Sequence, residues 1–125
     1  MFEYPRSGTF NLRVSYQTNY YRPPVDVIET EKSFLVRIEI AGVNEKDFSI
    51  KLDKNALLIS GFRQDPLKNH SFHQMEISFG EFEIKIHLPQ QIDRESIKAE
   101  YKNGFLEIIL LKAVPQEIFI KDKDA

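Results

Sequence analysis

Along most of this chain apolar residues recur at every second position, the period of a strand with one buried face. Phe34, Val36, Ile38 and Ile40 alternate with Leu35, Arg37 and Glu39. Phe48, Ile50 and Leu52 alternate with Ser49, Lys51 and Asp53, and Asp53-Lys54-Asn55 then reads as a turn. Residues 57–62 make a further strand, nearly apolar on both sides. Phe82, Ile84, Ile86 and Leu88 alternate with Glu83, Lys85 and His87. No stretch of this body carries a sustained helical stripe, though Asp93-Arg94-Glu95-Ser96 suits one short turn. Several short strands at close spacing predict an all-β fold, an antiparallel β-sandwich.

The segment 99–111 is the most informative. Asn103-Gly104 supplies the positive-φ residues that a tight turn between two strands needs. After it, Phe105, Ile109 and Leu111 point one way while Leu106, Ile108 and Leu110 point the other, and only Glu107 interrupts the apolar run. Such a strand lies in the middle of a sandwich or keeps one face for a partner. Further on, Ile118-Phe119-Ile120 stands between Pro115 and the charged Lys121-Asp122-Lys123-Asp124. Two isoleucines two residues apart face the same side of an extended chain and suit two adjacent pockets.

With these features the sequence resembles the small heat-shock protein, or α-crystallin domain, family. The resemblance rests on Ala99-x-x-x-Asn103-Gly104-x-Leu106, on Leu88-Pro89 and on Ile118-x-Ile120. It also rests on Pro24-Val25-Asp26-Val27-Ile28-Glu29-Thr30 and on Gly42-Val43-x-x-x-Asp47-Phe48. It covers residues 23–120, and the order and spacing of the pieces make it specific. It implies an immunoglobulin-like sandwich over residues 23–112, preceded by an aromatic arm (1–22) and followed by a tail (113–125). It implies an ATP-independent holdase that binds unfolding proteins and works as a dimer-based oligomer.

The same resemblance assigns roles to residues. Ile118 and Ile120 would enter a groove between the strand of Phe48, Ile50 and Leu52 and the strand 105–111. Leu106, Ile108 and Leu110 are expected to line that groove, against the alternative that they are plain core. The long segment 64–80, with Phe72, His73, Gln74, Met75 and Glu76, would supply a strand exchanged between subunits; the alternative is a floppy surface loop. Exchange would cover an otherwise open sheet edge. In the arm, Phe2, Tyr4, Phe10, Tyr16, Tyr20 and Tyr21 are candidates for client binding, since rings contribute area without demanding one geometry. Phe10, Leu12, Val14 and Tyr16 also alternate weakly, so a strand packing on its own domain or on a partner is the competing reading. Two departures stand out. Ala41 replaces the proline more usual before Gly-Val, and Glu81 and Glu83 flank Phe82 where many members carry a small residue and an arginine. An inter-subunit ion pair that depends on that arginine is not inherited.

Composition narrows the picture. A formal charge of −2 over 125 residues argues against non-specific nucleic-acid binding, which needs a basic surface. There is no cysteine, hence no disulfide or thiolate metal site. The first residues lack a signal-peptide pattern and no run reaches membrane-span length, so a soluble cytoplasmic protein is expected. The five glycines (8, 42, 61, 80 and 104) form no phosphate cradle. His70, His73 and His87 do not make a ligand pair, and His87 alternates with core positions and should face solvent. Glu81 and Glu83 share a strand face but no pocket suited to acid–base work is evident. No catalytic, cofactor or metal site is expected. The rivals to a holdase are a monomeric adaptor on the related CS-type sandwich, which would not need the apolar tail, and, more remotely, an enzyme.

Overall fold

The alternating segments become seven strands in a computed structural model, which describes residues 20–115 and 119–121. In chain order they are β1 (Val25–Glu29), β2 (Ser33–Glu39), β3 (Phe48–Asp53), β4 (Ala56–Arg63), β5 (Gly80–His87), β6 (Lys98–Lys102) and β7 (Phe105–Leu111). Two antiparallel sheets result, one ordered β1-β2-β7-β6 and the other β3-β4-β5. Single 3-10 turns, Glu45–Asp47 and Arg94–Ser96, lead into β3 and β6, the second at the predicted short turn. There Asp93 accepts the Glu95 amide at 3.1 Å, and the Ser96 hydroxyl accepts the Leu111 amide at 2.9 Å, tying the connector to β7.

Period-2 patterning decides which faces meet. Phe34, Val36 and Ile38 of β2 stand opposite Leu110, Ile108 and Leu106 of β7, and these six close against Leu57, Ile59, Phe82 and Ile84 of the other sheet. The polar alternates, Arg37, Lys85 and His87 among them, face water. Two-residue turns set the registers. Lys102 pairs with Phe105 across Asn103-Gly104, whose φ values of 54° and 83° are the left-handed pair this hairpin demands. Asp53 pairs with Ala56 across Lys54-Asn55, with Lys54 at φ 58°.

One position has no room for a side chain. A Cβ on Gly61 would lie 2.5 Å from Cζ of Phe82 and 2.7 Å from the Asp47 carbonyl oxygen. Backbone at Asp47 and a ring buried in the core cannot both withdraw, so Gly61→Ala should cost about 1–3 kcal/mol. Thermal unfolding of the variant beside the parent checks this.

The strand with two apolar faces is corrected here. Leu106, Ile108 and Leu110, expected in the groove, are 3%, 0% and 0% exposed and belong to the core. Their register with the inward residues of β2 fixes this. The surplus face of β7 is the other one, with Phe105, Ile109 and Leu111 exposed.

Candidate interaction surfaces

Each sheet ends in an edge strand on the same side of the sandwich, β3 on one and β6 on the other. Phe48 of β3 and Tyr101 of β6 meet edge to face with ring centroids 4.9 Å apart, and Phe48 also abuts Phe82 at 6.0 Å. The Tyr101 hydroxyl donates to the Ile40 carbonyl at 2.8 Å and accepts the Val43 amide at 3.3 Å, so its ring is held from behind. Arg94 donates to the Leu52 carbonyl at 2.7 Å, closing the lower end of the same side. Between these anchors Phe48, Ile50, Leu52 and Ile97 are half-buried: packed on the core yet open to the outside. The groove expected beside Phe48, Ile50 and Leu52 therefore has β6 as its second wall, not β7. Sequence reasoning missed Ile97, Tyr101 and Arg94. The Ile97/Tyr101 spacing, with Ala99 between, was the available signal.

A second surface is the connection 64–79, which forms no strand within the single chain. Phe72, His73, Met75 and Glu76 are all exposed there, and so are Leu67, Ile77 and Phe79. Its exit is pinned. Arg63, at the end of β4, donates to the Ser78 carbonyl through Nε and Nη2 and to the Ala41 carbonyl through Nη1 at 3.1 Å. Its guanidinium lies 5.5 Å from the Tyr21 ring centroid and 5.0 Å from that of Phe79. A broad, weakly hydrated cation set beside two rings while donating to two carbonyls suits arginine and not lysine. Arg63 was not singled out from the sequence.

Tyr21 is another correction. Expected in the client-binding arm, it lies against its own domain. Its amide donates to the Glu81 carbonyl at 3.1 Å, its carbonyl accepts the Glu83 amide at 3.2 Å, and its ring packs on Phe82. The hydroxyl is buried with no hydrogen-bond partner. Burial raises its pKa above the ordinary value, against a smaller opposing effect of Arg63. The folded protein thus keeps the phenolic proton at pH values where an unfolded chain releases it. The resulting stability is complete below about pH 10 and is lost as pH climbs through the raised value. Tyr21→Phe removes an unsatisfied buried group and should stabilise the fold by about 1 kcal/mol at neutral pH, with a flatter alkaline limb. Chemical denaturation at neutral and alkaline pH measures both.

The third surface is the tail. Hydrogen bonds from Lys112 to the Lys32 carbonyl and from Ala113 to the Gln91 carbonyl, both 2.9 Å, hold the chain as far as Ala113. Beyond it Val114, Phe119 and Ile120 are fully in water, Ile120 at 92% exposure. Ile118 lies outside the described residues, as do Phe2, Tyr4, Phe10 and Tyr16 of the arm; Tyr20 is described and exposed. Ala99 sits exposed on β6, four residues before Asn103 of the turn and opposite Ile108 of β7. Among the described residues no three His, Asp or Glu side chains gather as a metal site, and no helix is long and apolar enough to cross a membrane.

An antiparallel sandwich with a half-buried groove, an exposed apolar loop and an exposed apolar tail segment has the architecture of an α-crystallin domain. Residues 26–124 match the Hsp20/alpha crystallin family, and the chain belongs to it. It is 34% identical over 106 residues to small heat shock protein C2 of Rickettsia felis, a match spanning 83% of this chain and 68% of that protein. With small heat shock protein C4 of the same organism the identity is 30% over 107 residues, spanning 84% and 66%. The chain thus spans about two thirds of the length of these curated relatives. Among solved structures, heat shock protein 16.0 from Schizosaccharomyces pombe superposes with a TM-score of 0.74 at 30% identity, covering 86% of this chain and 80% of that one.

Proposed function

We propose that this protein is an ATP-independent holdase of the cytoplasm: a dimer, assembled further through its tail, that captures unfolding proteins and prevents their aggregation. The observation that carries the reading is the amount of apolar surface left in water on segments outside the sheets. Phe72, Met75 and Ile77 in the loop and Phe119 and Ile120 in the tail are all exposed. A monomer would expose such surface at a cost that assembly removes.

The dimer forms by exchange of the loop. Of the four sheet edges, β3 and β6 border the groove, and Tyr21 bridges to β5. The remaining edge is β1, where Val27 points toward the core side of its sheet and is nonetheless 46% exposed. A partner's strand through Phe72, His73, Met75 and Glu76 would pair with β1 and cover Val27. The tail of another subunit, Ile118 and Ile120, would occupy the groove of Phe48, Ile50, Leu52, Ile97 and Tyr101. Released loop, tail and arm aromatics (Phe2, Tyr4, Phe10, Tyr16 and Tyr20) then meet clients.

The test is turbidity of a heat-labile client enzyme. Stoichiometric amounts of the intact chain should suppress it several-fold, with no nucleotide present and no change when ATP is added. Undiminished turbidity at tenfold excess of chain would sink the holdase reading.

A further inference from the structure

The outward face of the four-stranded sheet is apolar along its central strand, and neither the groove, the loop nor the tail accounts for it. We propose that residues 10–16 of this same chain lie extended along that face, over Phe105, Ile109 and Leu111 of β7. The proposal goes beyond the holdase reading and does not depend on it.

The face is built by register. Ile109 stands beside Leu35 of β2, and Leu35 beside Ile28 of β1, so three apolar side chains make an in-register row across the sheet. Ile109 and Leu111 remain 46% and 44% exposed even so. From Phe105 to Leu111 the outward positions recur every second residue over about 20 Å. Phe10, Leu12, Val14 and Tyr16 recur at the same interval over the same length. An extended segment can therefore lay one apolar face along the column, which Glu107 alone interrupts, with Asn11, Arg13 and Ser15 turning away from the sheet.

The chain also arrives at the right end. The Pro24 carbonyl accepts the Glu39 amide at 3.1 Å, and Glu39 pairs with Phe105, so the run from Pro24 back to Tyr21 crosses between the sheets at the end of the sandwich where the column starts. Tyr21 is fixed at β5, and the five residues back to Tyr16 reach up to about 17 Å. Charge agrees. Glu100 and Glu107 are direct cross-strand partners on this face, an unfavourable like-charge pair. Arg37, beside Glu107, is already drawn to Asp26 at 2.6 Å. Residues 1–19 bring Arg6 and Arg13 against the single acid Glu3, a net of +1, so the arm as a whole is attracted to this acidic pair even though Arg13 itself turns away from the sheet.

Because the chain has no cysteine, an engineered pair reports the contact directly. The full chain carrying Leu12→Cys and Ile109→Cys is oxidised and run denatured without reductant, beside a control carrying Leu12→Cys and Lys85→Cys. Ile109 and Lys85 are both exposed, on different sheets, so neither change threatens the fold. The expected result is an internal bond in most Leu12/Ile109 chains at single-chain mass, at least fivefold above the control. Equal yields in the two variants would overturn the proposal, since the arm would then have no preferred face. A Leu12/Ile109 product chiefly at double mass would overturn it too, because another copy would be the occupant. A chain inactive as a holdase could still give the internal bond, so failure of either reading is told apart from failure of the other.

Discussion

Replacing Ile108 by alanine should destabilise the domain by about 2–5 kcal/mol, whereas Ile109→Ala should cost no more than about 1 kcal/mol. The two residues are adjacent, chemically identical and in one strand. Only the pleat separates them: Ile108 is 0% exposed between the sheets and Ile109 faces outward. Removing Ile108 leaves a cavity that Val36 and Ala99, its neighbours on β2 and β6, cannot fill without moving their strands. Removing Ile109 trims an outward side chain that neither sheet packs upon, and at most loses the contact proposed above with residues 10–16. Urea unfolding of both variants at one protein concentration checks the pair, since assembly makes stability concentration-dependent. Equal losses would mean that residues 10–16, or another occupant, cover the outer face as tightly as the core covers the inner one. A larger loss for Ile109 would overturn the face assignment.

That face was not legible in the sequence, and the reason is specific. Alternation tells inside from outside only when one set of positions is polar. In β2 and β5 it is, with Arg37, Glu39, Lys85 and His87 marking the water side, and both strands were read correctly. In β7 both sets are apolar, so the choice falls to the register against β2, which is a tertiary fact. Asn103-Gly104 was legible because its chemistry is local: few other dipeptides tolerate two successive positive φ values. β1 was not read as a strand, since Val25-Asp26-Val27-Ile28-Glu29 has no clean period and is held by pairing with β2.

The groove shows the same division. Its first wall, Phe48, Ile50 and Leu52, was found from its alternation. Its second wall was assigned to the wrong strand because nothing in a sequence tells which edges of two sheets come to lie together. β6 carries little apolar weight of its own, with Lys98, Ala99 and Glu100 exposed, and does its part through Tyr101 and, just before the strand, Ile97. Arg63 and Tyr21, far apart in the chain, meet only because β4 ends where the incoming chain crosses to β1.

For assembly, the double change Ile118→Ser and Ile120→Ser should have the largest effect, dropping the solution mass from a large oligomer to a dimer. Two isoleucines entering the groove of Phe48, Ile50, Leu52, Ile97 and Tyr101 gain about 3–6 kcal/mol of apolar transfer. Ordering the tail and losing rigid-body freedom cancel most of this. One contact is therefore weak and exchanges readily. Many contacts in a closed assembly multiply into a stable one, because each later contact forms at high effective concentration. Serine at both positions removes the apolar gain and leaves the cost, so the multiplied term collapses, while the dimer proposed above through the loop and β1 uses none of these residues. Light scattering of both chains at matched concentration decides it. Dimers in both would leave the tail without a role in assembly, and monomers in both would remove the exchanged loop as well.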